Sequence, residues 1–186
     1  MNKITIYSQN DPMPRELFSR LFEILEYSFP PDERRGFEEH YSEFRRSFFR
    51  SMVLEQNGEI AGFMNYWELG GFVYLEHFAV AEQLRGNGIG TRLMGELHKF
   101  TENRPIILET EPPEQSPTAL RRTEFYTRLG FFQNPYEYYQ PPYRENEKPV
   151  RFVIMSSPRG LSYEEFLEMK TVLYRNAYQT NWDYLT

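Results

Sequence analysis

Tyr74-Leu-Glu-His-Phe-Ala-Val80 followed by Arg85-Gly-Asn-Gly-Ile-Gly90 is the stretch that decides the fold. The first part is aromatic, β-branched and apolar, the composition of a strand. The second places glycine at 86, 88 and 90. In the segment after it, Ile89, Leu93, Met94, Leu97 and Phe100 recur near one face of a helix. The order is therefore strand, glycine loop, helix. Glycines allow positive φ and close approach of a ligand to the backbone. The first helical turn adds unpaired N–H groups and the positive end of the dipole. Together they suit a phosphate or pyrophosphate, with Arg85 adding charge at the entrance. A P-loop requires Gly-Lys-Ser/Thr, and this loop has no lysine. The dinucleotide fingerprint requires a glycine where this chain has Thr91.

What remains, Arg-x-x-Gly-x-Gly between strand and helix, resembles the pyrophosphate loop of the GCN5-related N-acetyltransferase (GNAT) superfamily. The resemblance implies that Arg85, Gly86, Asn87, Gly88, Ile89, Gly90 and Thr91 hold the pyrophosphate of acetyl-CoA. It implies that the main chain of Phe78, Ala79 and Val80 pairs with the pantetheine arm. A second stretch agrees: Phe125-Tyr-Thr-Arg-Leu-Gly-Phe131 resembles the family's Tyr-x-x-x-Gly-Phe signature. By that likeness Tyr126 gives a proton to the departing CoA thiolate. Many relatives carry an asparagine seven residues before that tyrosine; here the place is Ala119. The likeness is strong over 72–132, and elsewhere only the order of elements agrees.

Composition narrows the class. A chain of 186 residues suggests one domain, 1–186. No apolar run is long enough for a membrane span, and the first residues lack the apolar core of a signal peptide. There is no cysteine, hence no disulfide, thiolate metal site or cysteine-linked acyl intermediate. These features point to a cytoplasmic protein. The net charge of -6 argues against non-specific nucleic-acid binding and is compatible with a cationic substrate. Three histidines, 40, 77 and 98, show no metal-ligand spacing, so no metal is expected.

Taken in order, the chain predicts a strand at 3–7, a helix at 16–29 ended by Pro30-Pro31, and a second helix from about 32. On that second helix Phe37, Tyr41, Phe44 and Phe48 share a face, and Arg34, Arg35, Arg45 and Arg46 form a solvated one. Asn57-Gly58 joins strands 51–56 and 59–67 as a hairpin. Gly70-Gly71 turns into strand 72–80, completing an antiparallel meander. Strand 105–110 follows the glycine-loop helix and should lie parallel beside 72–80. A helix at 118–129 has Gly130 as its C-terminal cap. The tyrosine- and proline-rich 134–143 reads equally as an edge strand or as a lip of the acceptor site. Strand 150–155 is last, and Ser162-Tyr-Glu-Glu165 looks like a capping box opening a further helix. The fold class is α/β (α+β), GNAT-like, with a mixed central sheet. The core spans about 1–157, and a C-terminal helical appendage about 160–180.

An amine acceptor, with a pKa of about 10, must lose a proton before it attacks a thioester. Glu76, His77 and Glu109 are the candidate bases, with water as a further route; Glu76 is preferred. Strand alternation sends Glu76 and His77 to opposite faces. A main-chain N–H near Val80 would hold the developing oxyanion. The expected activity is acyl-CoA-dependent N-acyl transfer by direct attack in a ternary complex, with Tyr126 and Glu76 as catalytic residues. The acceptor is a small-molecule or peptide amine, and the protein a monomer or homodimer. O-acyl transfer and a catalytically silent acyl-CoA-binding module stay open.

Overall fold

A computed structural model describes residues 2–102 and 104–180. The chain forms two compact units. The first holds the chain up to Glu68 and Leu75–Arg104; the second holds Leu69–Tyr74 and the chain from Pro105 onward.

In the first unit, β1 (Asn2–Tyr7), β2 (Phe49–Gln56) and β3 (Glu59–Leu69) pair antiparallel, with Ser51 opposite Asn65. The β2–β3 turn has positive φ at both Asn57 (53°) and Gly58 (84°), the conformation that a two-residue hairpin turn needs. Helix α1 (Arg15–Ser28) buries Phe18, Leu21, Phe22 and Leu25, one stripe of an amphipathic helix. Strand β4 (Phe72–Val80) leads to the glycine loop and helix α3 (Ile89–Phe100), which buries Ile89, Leu93, Met94 and Leu97. Gly62 on β3 permits this packing: a Cβ there would lie 3.0 Å from the Ala79 carbonyl and 3.0 Å from Leu93 Cδ1. Because one neighbour is backbone, Gly62→Val is expected to destabilise by about 1–3 kcal/mol, the cost of overpacking. Denaturant midpoints of the two proteins check it, and an unchanged midpoint would refute the contact.

In the second unit, β5 (Ile106–Thr110) pairs antiparallel with β8 (Val150–Ser157), placing Glu109 opposite Ile154. Strands β6 (Phe132–Gln133) and β7 (Tyr138–Gln140) also pair with β8. At the start of β4, the Val73 N–H donates to the Pro105 carbonyl at 2.8 Å. The strand order is β1-β2-β3-β4-β5-β8-β6. Among the described residues β4 and β5, joined through a helix, form the one parallel pair in a mostly antiparallel mixed sheet. Helix α4 (Pro117–Arg128) begins at Ser116, whose Oγ accepts from the Ala119 N–H at 3.0 Å. Gly130 follows its end with φ of 85°. Helix α5 (Tyr163–Asn176) carries the expected capping box of Ser162 and Glu165.

The region after α1 departs from expectation. In place of one helix from 32 there is a short turn at Pro31–Glu33, then α2 (Phe37–Ser42), another turn at Glu43–Arg45, and β2 already at Phe49. Phe48 is 49% exposed and Phe49 is the buried ring. Arg45 is exposed as expected, but the Arg35 side chain is only 7% exposed. A buried guanidinium must be paired, and its partners hold this segment in an irregular path that periodicity does not encode.

Candidate active site

The glycine loop lies in the first unit. Gly86 and Gly88 have φ of 80° and 75°, and an added Cβ at either would meet nothing within 4 Å. The loop thus has left-handed backbone facing open space, which a ligand can approach. Gly88 is also the N-cap of α3; no side chain caps this end, and its first turn carries no acidic residue. The first N–H groups of a helix lack partners within it, so those of Ile89, Gly90 and Thr91 are donors at the positive end of the dipole. Arg85 is exposed and folds back: its Nε donates to the Val80 carbonyl at 3.1 Å, and its guanidinium lies 5.7 Å from the Tyr27 ring. Asn87 Nδ2 donates to the Leu84 carbonyl at 3.3 Å, bracing the loop. Upstream, Phe78 and Val80 are half-buried and Ala79 is buried. The Ala81 N–H donates to the Ala61 carbonyl, so pairing continues just past the end of β4.

Glu76 and His77 do not separate to opposite faces. Both reach the 33–43 segment: Glu76 pairs with Arg35, and His77 Nε2 lies 3.1 Å from the Glu33 carbonyl. The buried Arg35 has two carboxylate partners here. Glu43 is its second one, at 3.2 Å. Trp67 Nε1 donates to Glu76 Oε2 at 2.9 Å. Burial by itself would raise the Glu76 pKa, but Arg35 outweighs it and holds the carboxyl at about 2. The Glu76 side chain is 1% exposed although the residue is half-buried, so the open part of Glu76 is main chain. His77 and His40 are buried with ring centroids 5.3 Å apart, and burial lowers the pKa of both. They are neutral at pH 7. Among the described residues no cluster of His, Cys, Asp or Glu has a metal-binding arrangement.

Tyr126 lies in the second unit, on the buried face of α4 with Ala119 and Thr123. Its ring packs on Phe125 and Phe131, with centroids 5.4 and 5.6 Å away. Among the described residues its hydroxyl makes no hydrogen bond, yet the oxygen is not sealed from the surface. Burial pushes its pKa up to about 12, against a small lowering by Arg122, which pairs with Glu111. The group is a proton-bearing donor still to be used. Ala119 is buried beneath the first turn and offers no amide.

The same unit contains a group that sequence reasoning did not assemble. Glu109 Oε2 accepts hydrogen bonds from the hydroxyls of Tyr74 at 2.8 Å and Tyr178 at 2.7 Å. Oε1 accepts from Tyr138. Glu109 was a candidate base and Tyr138 sits in the stretch read as edge strand or lip. Tyr74 and Tyr178 carried no signal, since residues so far apart in sequence share no periodicity.

Comparisons with known proteins bear on the family and the fold. The Acetyltransferase (GNAT) family matches residues 15–131. A solved GNAT-family protein of Bacteroides thetaiotaomicron is 31% identical, with 96% of this chain and 99% of that one covered and a TM-score of 0.84. YjbC of Bacillus subtilis (strain 168) is 27% identical over 159 residues, 84% of this chain and 80% of that protein. An aminoglycoside 6'-N-acetyltransferase solved with coenzyme A shares the fold, with 20% identity, 83% and 96% coverage and a TM-score of 0.61. No helix among the described residues is long and apolar enough to cross a membrane. With well over half its length matched and the strand, glycine loop and helix in place, the chain belongs to the acetyltransferase (GNAT) family.

Proposed function

We propose that this acetyltransferase moves an acetyl group from acetyl-CoA to a primary amine by direct attack within a ternary complex. One observation carries the reading: α3 starts uncapped behind two left-handed glycines that face open space. That is the chemistry of a diphosphate cradle. Coenzyme A bound to the aminoglycoside acetyltransferase of the same fold supports the same ligand class.

The residues from Arg85 to Thr91 would hold the pyrophosphate, chiefly through main-chain N–H groups. The main chain of Phe78, Ala79 and Val80 would align the pantetheine arm, and the exposed main chain at Glu76 supports an open backbone there. Bound acetyl-CoA supplies an acyl group activated as a thioester. A main-chain N–H near Val80 steadies the charge that develops on the carbonyl oxygen. Tyr126 donates toward the leaving sulfur. The base that takes the proton from the amine is Glu109, His77 or water. Glu76 is the weaker base, since a carboxyl held at about 2 and saturated by Arg35 and Trp67 has little affinity for a proton at pH 7. Glu76 instead anchors the 33–43 segment to β4.

The test begins with binding. Acetyl-CoA at a hundred times its dissociation constant should stabilise the protein by about 2.7 kcal/mol. Gly88→Asp should fold, because its Cβ meets open space. The left-handed residue costs about 1–2 kcal/mol at most. It should lose the acetyl-CoA shift, because it puts a negative charge where phosphate must sit. Equal shifts in parent and variant would sink the cradle. Turnover against small amines, a peptide amine, a polyamine and an aminoglycoside then identifies the acceptor. Tight acetyl-CoA binding with no turnover on any acceptor would favour a silent binding module.

A further inference from the structure

A short turn, Glu82–Leu84, links β4 to the glycine loop, and the Arg85 N–H closes it on the Glu82 carbonyl at 3.2 Å. In such a turn residues three apart stand over one another, where opposite charges pair readily. Both side chains are exposed, yet among the described residues Arg85 has no ion pair. Tyr27, in the last turn of α1, engages each of them separately. Its hydroxyl donates toward the Glu82 carboxylate, an interaction that raises the tyrosine pKa. Its ring carries the Arg85 guanidinium at 5.7 Å from the centroid. Arg85 Nε is committed to the Val80 carbonyl at 3.1 Å, while its two terminal amino groups have no hydrogen-bond partner among the described residues. An arginine held by its stem and its face, and open along its outer edge, is preorganised for bidentate contact with phosphate oxygens. Packing does not account for the tyrosine. Tyr27 is 60% exposed, touches no other aromatic ring among the described residues, and borders an open hollow of about 310 Å³ with Ile24, Ile60 and Ala81.

We propose that Tyr27 is a positioning residue for the acyl-CoA cofactor: it takes Glu82 on its hydroxyl and Arg85 on its ring, keeps the two from pairing, and leaves the edge of the arginine for a phosphate group at the glycine loop. The inference rests on the acetyl-CoA reading above. Arg85 immediately precedes Gly86, the first left-handed glycine of the loop, so its edge and the uncapped start of α3 belong to one short segment. The Val80 carbonyl that fixes Nε belongs to the strand end assigned to the pantetheine arm. Arg85 thereby ties that strand end to the loop, and Tyr27 fixes the tie to α1. Without the ring, the guanidinium is free to turn to Glu82, and a phosphate must then compete with a carboxylate for it.

The experiment is a double-mutant cycle read by calorimetric titration with acetyl-CoA. Tyr27→Leu should bind about two- to fivefold more weakly than the parent, the range of an exposed cation–π contact. In the Arg85→Gln background the same substitution should leave the affinity at that of Arg85→Gln alone. Tyr27→Phe keeps the face that carries the guanidinium and should bind more tightly than Tyr27→Leu. Thermal unfolding of each variant verifies that it is folded, which the exposure of Tyr27 favours. Parental affinity in Tyr27→Leu would overturn the proposal. An equal loss in both backgrounds would overturn it too, since that is what a merely structural part in α1 would give. Tyr27→Phe as weak as Tyr27→Leu would remove the ring from the account and with it the inference. Failure of the cradle reading itself would appear separately, as absence of acetyl-CoA binding by the parent.

Discussion

Tyr126→Phe is expected to lower kcat by about a hundredfold or more while leaving acetyl-CoA affinity unchanged. The substitution keeps the ring that packs on Phe125 and Phe131 and removes only the hydroxyl. That hydroxyl has no hydrogen-bond partner among the described residues, so its loss leaves no protein group unpaired and costs little stability. The size of the effect depends on how the proton is used. A pKa of about 12 stands above the roughly 8.5 of a thiol, so full transfer to a free thiolate is uphill by about 5 kcal/mol. In the proposed mechanism Tyr126 therefore acts by sharing its proton as charge grows on sulfur, a contribution of about 10²–10⁴-fold. Two measurements check this: single-turnover rates of parent and variant, and a binding titration of each. The rate of the parent should also show no basic limb from Tyr126 below about pH 10, because the group stays protonated there. A variant with parental single-turnover rates would reduce Tyr126 to packing.

Removing Arg35 should have the largest effect on stability. Arg35→Met keeps much of the stem but leaves Glu43 and Glu76 buried, with side chains 4% and 1% exposed. Breaking a buried pair from one side costs about 3–5 kcal/mol. In a domain of this size that corresponds to roughly 10–15 °C in Tm. A loss below about 1 kcal/mol, the range of a surface ion pair, would contradict the burial. The pH dependence carries an independent sign. The Glu76 pKa falls from 4.5 to about 2 on folding. The unfolded chain thus binds more protons across that window, and about 3 kcal/mol of stability, fully present above pH 4.5, is lost as pH falls toward 2. His40 and His77, also lowered, begin the loss earlier, as pH drops through 6.5. Glu43 works in the opposite sense: burial raises its pKa, so acidification relieves part of its cost. In Arg35→Met the Glu76 contribution should vanish, and parent and variant should converge in stability as pH falls toward 2. Equilibrium unfolding at a series of pH values measures both effects.

What could be read from the sequence was local. From Tyr74 to Phe100, strand, glycine loop and helix follow one another without interruption, and each has its own signal. The Asn57-Gly58 turn and the Ser162–Glu165 cap are likewise complete within four residues. Arg35 was misread because its identity as a buried ion depends on Glu76, 41 positions away, which spacing cannot reveal. The Glu109 cluster needs partners 35, 29 and 69 positions distant. The sequence does name Glu109 and Tyr126 as candidates, because each sits at a place tied to the glycine loop by family likeness. The side chains packed around them lay beyond it.

Strand β1 stands at one end of the strand order and β6 at the other. Two residues of β6 offer almost no ladder to a stranger, whereas β1 offers six, Asn2 to Tyr7. An open strand edge is a template on which other chains polymerise. Here the apolar Ile4 and Ile6 alternate with Lys3 and Thr5, and Lys3 is exposed. A charged lysine on an incoming copy would face another lysine or have to be stripped of water. Lys3 is thus a charge on the longer free edge of the sheet, of the kind that blunts edge-to-edge pairing between copies.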